Sequence, residues 1–579
     1  MIKREYRWIQ SAVEAAPIEQ ITKEINIPEA LAKALANRGI VTYSQAREFF
    51  RPRLEDLLDP FLMDGMEAAV RRVSKAVESN EQILIFGDYD VDGTNAASML
   101  TLFLREIGLE TSYHIPNRIL EGYGISKLGI DKAHKLGVTL LISVDCGITA
   151  LQQVEYAKTL GIDIIICDHH EPIEQIPNAV AVLDPLKPSC SYPFKYLCGC
   201  GVAFKLIQAI CKQRGHEEQA FQYLDFVTLA TAADIVPLIG ENRIITKIGL
   251  TLLNENPRVG IRALIESSGT QLGKINTGQI VFVLAPRINA VGRMGDATRA
   301  VHLLTCTNPV EAISLARVLE EENRQRRKLD EETFALAQKL VETTHDIERT
   351  PVLVLHDSQW HPGVIGIVAS RLVEKYYRPT IMLTTVDGVA RGSARSIVGF
   401  DIYRALKKVE HKLIQFGGHK YAAGLAVELD RVDEFREAFT KVVNELLPED
   451  IRTPEIRIDA EITLSDISPR FLKILKEFAP FGPGNMRPIF LSKNVLPVGD
   501  PRLVGEEHLR FRVRQDRQVF DTIGFGLGYR LEHIRANGKG IDIVYAVDEY
   551  EKTVPGQDSL TVETFPQLKI KDLKIQHEV

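Results

Sequence analysis

Four times in the first 234 residues an apolar segment ends in side chains that bind metals. Ile83-Leu84-Ile85-Phe86-Gly87 runs into Asp88-Tyr89-Asp90-Val91-Asp92-Gly93, and Leu140-Leu141-Ile142-Ser143-Val144 runs into Asp145. Ile162 to Cys167 is followed by Asp168-His169-His170, and Phe226 to Ala233 by Asp234. Between them lie helical stretches, such as Ala96 to Leu104 and Thr149 to Leu160. Such alternation predicts a doubly wound, mainly parallel sheet. Each acidic or imidazole group follows an apolar run, so the expected sheet gathers all four at its carboxyl edge.

Downstream the pattern changes twice. Residues 240–310 read as mostly helical, and 311–342 as one long helix. That helix is apolar at both ends (Leu315, Leu319; Leu329, Leu336, Leu340) and charged from Glu320 to Lys328, which suits a bridge between domains. The basic part of the charged stretch could face DNA or simply be solvated. Val352 to Leu355 and Thr380 to Leu383 mark a second, smaller α/β unit. Beyond about residue 453, short alternating segments take over: Glu455 to Ile462, His508 to Arg514, Val519 to Gly524, Ile541 to Val547 and Ser559 to Phe565. One helix, Pro469 to Phe478, interrupts them, and an OB-like barrel is expected. The predicted organisation is therefore an N-terminal helical extension (1–60), a catalytic α/β domain (61–310), a linker helix (311–345), a smaller α/β domain (346–450) and a barrel (451–579).

Composition narrows the class only a little. A chain of 579 residues is too long for one core. It is 45% hydrophobic and 25% charged, as soluble proteins are. No apolar run approaches the ~18 residues of a spanning helix, and the start shows no apolar signal-peptide core. Seven cysteines, an odd number, argue against a disulfide framework and for a reducing, cytoplasmic setting. Cys190, Cys198, Cys200 and Cys211 lack the spacing of a zinc site and are read as buried thiols. The net charge of −7 gives no global basic field, so any nucleic-acid contact must be local.

The acids admit blander readings one at a time. Asp88, Asp90 and Asp92 could cap a helix or line a turn, or open a calcium loop, although no Glu closes that loop at the twelfth position. Taken jointly, oxygen ligands with one or two imidazoles favour Mn2+ or Mg2+. There are too many carboxylates for one ion. Two ions roughly 3.5–4 Å apart would hold the set and clamp the attacking and leaving oxygens of a phosphoester.

The four motifs, in this order, resemble the DHH phosphoesterase family and, within it, the bacterial RecJ single-strand exonucleases. Trp360 to Arg371, Gly392-Ser393-Ala394-Arg395-Ser396, Gly417-Gly418-His419-Lys420-Tyr421-Ala422-Ala423-Gly424, Pro286 to Met294 and Ala479 to Asn485 extend the likeness over about residues 60–550. Lys420-Tyr421 departs from the small residue or Pro expected after Gly-Gly-His. The resemblance implies a DHH domain, a DHHA1 domain and an OB-fold. It implies Asp88, Asp90, Asp145, His169 and Asp234 as ligands of two Mn2+ or Mg2+ ions, with Asp145 bridging them. His170 would touch the scissile phosphate or complete the second ion, and Asp92 and Asp168 would orient the ligands. Arg118, Ser393 and Arg395 would grip a 5′-phosphate, for which guanidinium forks are suited. Arg287, His419, Trp360 and His361 would contact DNA. A core role for Trp360, a turn role for His419 and a surface role for Arg118 stand beside these.

The activity so implied is 5′→3′ hydrolysis of single-stranded DNA to 5′-mononucleotides by a cytoplasmic monomer acting in DNA repair and recombination. A single-strand-binding protein and a RecQ-type helicase would be its partners, with no membrane and no nucleotide cofactor. A phosphoesterase of short oligonucleotides, cyclic dinucleotides or pyrophosphate is the alternative; such relatives are shorter and usually lack the barrel. A non-catalytic scaffold is the third reading, and the filled ligand positions argue against it.

Overall fold

The computed structural model describes residues 5–575 apart from 13, 118–120, 538 and 556–559. The chain divides into two compact units. One comprises Arg51–Lys328 with Pro480–Met486; the other comprises Met1–Phe50, Leu329–Ala479 and Arg487–Val579.

The first unit is built on five parallel strands: β1 (Ile83–Gly87), β2 (Thr111–His114), β3 (Leu140–Val144), β4 (Asp163–Cys167) and β5 (Ala181–Leu183). Their spatial order is β2-β1-β3-β4-β5, so the chain direction across the sheet reverses between β1 and β3. Ligands of doubly wound sheets bind outside the carboxyl ends of the strands at such a reversal. The apolar runs are continuous because both faces are covered. Ile83 and Ile85 enter a core with helices α1 (Val91–Glu106) and α4 (Gly199–Gln213). Leu84 and Phe86, one residue out of phase, join the opposite core with α2 (Lys127–Lys135) and α3 (Leu151–Thr159).

Two elements of the first unit differ from the sequence reading. The fourth apolar run is not a strand: it is helix α5 (Leu224–Ala233), buried on nearly every side, with Asp234 as its C-cap. Periodicity cannot separate a buried strand from a helix buried all round. The alanines at 230, 232 and 233, the best helix formers, tip the balance. Helix α1 also begins earlier than expected, at Val91, inside the Asp-x-Asp-x-Asp-Gly motif, because Asp90 caps it. Further on come α6 (Gly240–Glu255), α7 (Ala285–Met294) and α8 (Pro309–Thr344), the long expected helix, within which the two units divide.

Among the described residues the second unit holds three sheets, two of them large. In the first, β6 (Leu353–His356), α9 (Ile365–Tyr376) and β7 (Thr380–Val386) form a parallel crossover. β8 (Val389–Arg395), β9 (Gln415–His419) and β10 (Ala422–Glu428) extend it antiparallel in the order β9-β10-β8-β7-β6. The second is a closed barrel of β11 (Ile489–Val504), β12 (His508–Gln515), β13 (Gln518–Gly524), β14 (Ile541–Pro555) and β15 (Leu560–Ile575). Leu509, Phe511 and Val513 of β12 fill its core, while Arg512 and Arg514 are exposed and Arg510 is half-buried. The expected single strand from Glu455 to Ile462 is broken. Glu455–Ile458 pairs in parallel with Arg7–Gln10, and Ala460–Glu461 pairs with β11. The four-residue strand at Arg7 replaces part of the expected helical extension; its partner lies 448 residues away, beyond the reach of any local pattern.

Candidate metal centre

The carboxyl ends of β1, β3 and β4 and the end of α5 place all four motifs in one cluster. Asp90 caps α1 by accepting the Gly93 N–H at 3.1 Å. Gly93 is required there: a Cβ on it would lie 2.5 Å from the Asp88 nitrogen. Asp92, in the first turn of α1, accepts N–H groups of Gly199 (2.6 Å) and Cys200 (2.8 Å), which open α4. Asp145 follows β3 with φ of 60°, a left-handed conformation that Asp tolerates better than most residues. A Cβ on Gly199 would lie 2.6 Å from the Asp145 Cβ, so the glycine-rich turn at 198–201 lets α4 close on two carboxylates at once.

His169 Nε2 lies 3.2 Å from Asp145 Oδ1 and 3.8 Å from carboxylate oxygens of both Asp92 and Asp234. Three groups of ligand atoms lie within 4.8 Å of one another: Asp88, Asp90 and Asp145; Asp92, His169 and Asp234; and Asp145, His169 and His170. Asp145 and His169 each belong to two of them. Asp168 belongs to none. It is buried and accepts the N–H groups of Ile148 (2.8 Å), His169 (2.8 Å) and His170 (3.3 Å), and it holds His170 Nδ1 at 2.7 Å. It therefore orients the His170 imidazole and anchors the backbone that carries His169.

The donor chemistry fits hard or borderline divalent cations, oxygen-rich with imidazole. Burial, then repulsion from Asp92 and other neighbouring carboxylates, pushes Asp145 and Asp234 well above the usual carboxylate range. Asp90 rises for the same reasons. Asp234 also sits at the C-terminal, electronegative end of α5, the wrong end for an anion. Burial lowers His169, favouring the neutral imidazole that metals bind. For His170 burial is outweighed by Asp168, and its pKa rises to about 9. Cations placed among these groups would offset the mutual repulsion.

Sequence reasoning missed two supports. The Tyr123 hydroxyl donates to the Asp145 carbonyl at 3.2 Å and lies 3.2 Å from His170 Nδ1. The only local signal is an aromatic between Gly122 and Gly124, both at positive φ. Asn289 of α7 accepts the Val91 N–H at 3.1 Å, and a Cβ on Gly292 would lie 2.5 Å from the Tyr89 carbonyl oxygen. The Pro286 to Met294 motif thus buttresses the first metal loop. Arg287 within it departs from its expected DNA role. It is 4% exposed and its guanidinium meets Glu320, the Val283 carbonyl and the Ser268 carbonyl. Arg118 lies outside the described residues.

In the second unit, register places Ser393, Gly424 and Gly417 in one row across β8, β10 and β9, and Arg395, Ala422 and His419 in the next. Alternation puts all six on one face. Arg395 donates to Ser393 Oγ (2.9 Å) and the Ala394 carbonyl (2.8 Å). A Cβ on Gly366, in the first turn of α9, would lie 2.9 Å from both Arg395 Nη2 and Ser393 Oγ. A guanidinium against a helix N-terminus is two positive ends together, an arrangement that calls for an anion. His361, half-buried in the loop before α9, accepts the Gly363 N–H at 3.0 Å. Trp360 is 3% exposed and packs among Leu353, Leu355 and Val368, which corrects the expected DNA contact to a core residue.

Residues 82–231 match the DHH family N-terminal domain, 349–445 the DHHA1 domain and 458–562 the RecJ OB domain. Fold and site thus define a DHH-domain protein with an associated DHHA1 domain and a barrel. The single-stranded-DNA-specific exonuclease RecJ of Bacillus subtilis is 35% identical, over 99% of this chain and 72% of its own. That of Escherichia coli K12 is 33% identical, over 84% and 87%. The crystal structure of RecJ in complex with Mn2+ from Thermus thermophilus superposes with a TM-score of 0.83 at 26% identity, covering 98% of this chain and 79% of that one. The chain belongs to the RecJ family.

Proposed function

We propose that this chain hydrolyses single-stranded DNA from its 5′ end, releasing 5′-mononucleotides, with two divalent cations, Mn2+ or Mg2+. The observation that carries this reading is the junction of Asp88/Asp90/Asp145 with Asp92/His169/Asp234 in one cluster, through the 3.2 Å approach of Asp145 to His169. When bound, such cations acidify water and stabilise charge on the attacking and leaving oxygens of a phosphodiester. The chain's own residues do the rest. Gly199 and Cys200 fix Asp92, and Asp168 fixes the His170 imidazole and the His169 backbone. His170, the more open of the two histidines, supports a contact with the substrate phosphate.

A 5′-phosphate on the Ser393–Arg395 face would satisfy the guanidinium and the α9 N-terminus together. Gly417 and Gly424, where an added Cβ would meet nothing within 4 Å, leave that face open to a sugar-phosphate chain. The outward arginines of β12 suit the backbone of a single strand. The activity fits DNA repair and recombination in the cytoplasm, with a single-strand-binding protein and a RecQ-type helicase as partners. Time-resolved product sizing on 5′- and 3′-labelled single strands with Mn2+ tests it. Mononucleotides should leave the 5′ end first; products appearing first from the 3′ end, or cleavage of dinucleotides alone, would overturn it. Arg395→Ala should slow 5′-phosphorylated strands about tenfold more than hydroxyl-ended ones, a difference of one charge-assisted contact. Equal losses would remove that role.

A further inference from the structure

Ile235, the residue after Asp234, has φ of 61°. Among the described residues it is the one β-branched side chain in the left-handed region; the other non-glycine cases are Asn, Asp and Tyr. It stands just past the C-cap of α5, where glycine is the usual occupant. A β-branched residue there is strained. Burial does not offset the strain, since Ile235 is 61% exposed.

The conformation is held from both sides. Upstream, the Asp234 N–H donates to the Ala230 carbonyl at 2.8 Å. Downstream, the Leu238 N–H donates to the Pro483 carbonyl at 2.7 Å and Asn242 Nδ2 donates to the Pro237 carbonyl at 3.0 Å. The glycines of the 480–486 segment make that grip possible. A Cβ on Gly482 would lie 2.7 Å from Leu238 Cδ1, and Gly484, at φ of 72°, already sits 3.1 Å from Ile239 Cγ2 by the same measure. Strain that the surroundings over-determine clusters where function needs it. What this strain achieves is a large apolar side chain, open to solvent, one peptide bond from a metal-ligating carboxylate.

We propose that Ile235 is a specificity-determining residue that packs against the nucleobase of the nucleotide bound at the metal centre. The inference rests on the nuclease reading above and deepens it. Apolar contact with a base face is indifferent to sequence, which suits an enzyme that takes single strands generally. The base is therefore what Ile235 reads, and an abasic residue in its place should be a poorer substrate.

The test compares the wild type, Ile235→Gly and Ile235→Val on 5′-phosphorylated strands, either intact or with a tetrahydrofuran abasic residue at the first or second nucleotide, with Mn2+. The wild type should favour the intact strand about tenfold in kcat/KM. Ile235→Gly should lose most of that preference by slowing on the intact strand only, keep the Mn2+ concentration giving half-maximal thermal stabilisation, and raise Tm by about 1–2 °C as strain is released. Ile235→Val should restore the preference. An unchanged ratio in Ile235→Gly, with the wild type active, would overturn this assignment alone. A wild type inactive on every strand would overturn the nuclease reading and this one with it.

Discussion

At the scale of single residues, the metal centre separates side chains that offer ligand atoms from those that aim them. Asp90→Ala and His169→Ala should leave a folded protein whose hydrolysis falls by on the order of 1,000-fold or more, since each belongs to a three-residue group and its loss opens the site. Circular dichroism with a turnover assay at saturating Mn2+ checks this; turnover near the wild-type rate would refute the site. Asp168→Asn should cost less, about 10–100-fold, as removal of a partner that orients a ligand does. A second carboxylate, Asp184, follows β5 and is fully buried, with one oxygen accepting the Leu186 N–H at 2.7 Å. Burial raises its pKa to about 7. The folded chain then holds a proton that the unfolded chain has released, so its contribution to stability is full below about pH 4 and is lost as pH rises to about 7. Thermal melts of Asp184→Asn in chelator should show a flatter decline across that window; an identical decline would show that Asp184 is not the titrating group.

At the scale of elements, the sheet was legible because strands buried on both faces must be apolar throughout, and the candidate ligands follow three of them directly in sequence. The barrel was legible from alternation, with Phe511 inward and Arg512 outward. Helix α5 was not, since the eight-residue run Phe226 to Ala233 satisfies either periodicity. Nor were Asn289 and Gly199, whose roles depend on partners 198 residues away (Val91) and 107 residues away (Asp92). Gly199 gives an element-scale prediction. Gly199→Ala places a methyl 2.6 Å from Asp145, so α4 must retreat and the N–H groups holding Asp92 go with it. The variant should lose thermal stabilisation by Mn2+ as well as activity; wild-type Mn2+ stabilisation would contradict the packing described. Another pin lies where Lys205, fully buried, meets Glu241, which also accepts from the Tyr192 hydroxyl at 2.6 Å. Glu241→Ala leaves a buried ammonium without its counter-charge and should destabilise its unit by about 3–5 kcal/mol in urea titrations; a loss under about 1 kcal/mol would contradict that account.

At the scale of the whole molecule, the acidic cluster lies in one compact unit and the Ser393–Arg395 face in the other. The cluster repels itself when bare, so divalent cations should act as folding ligands as well as catalysts. At a hundred times its dissociation constant, a cation bound only to the native state adds about 2.7 kcal/mol. The claim on which the account rests is that Asp88, Asp90, Asp92, Asp145, His169 and Asp234 surround a pair of divalent cations. Anomalous diffraction from Mn2+-soaked crystals measures it directly. Two manganese peaks bounded by these six side chains are the predicted result; no peak among them, or manganese bound only at other surfaces, would contradict it.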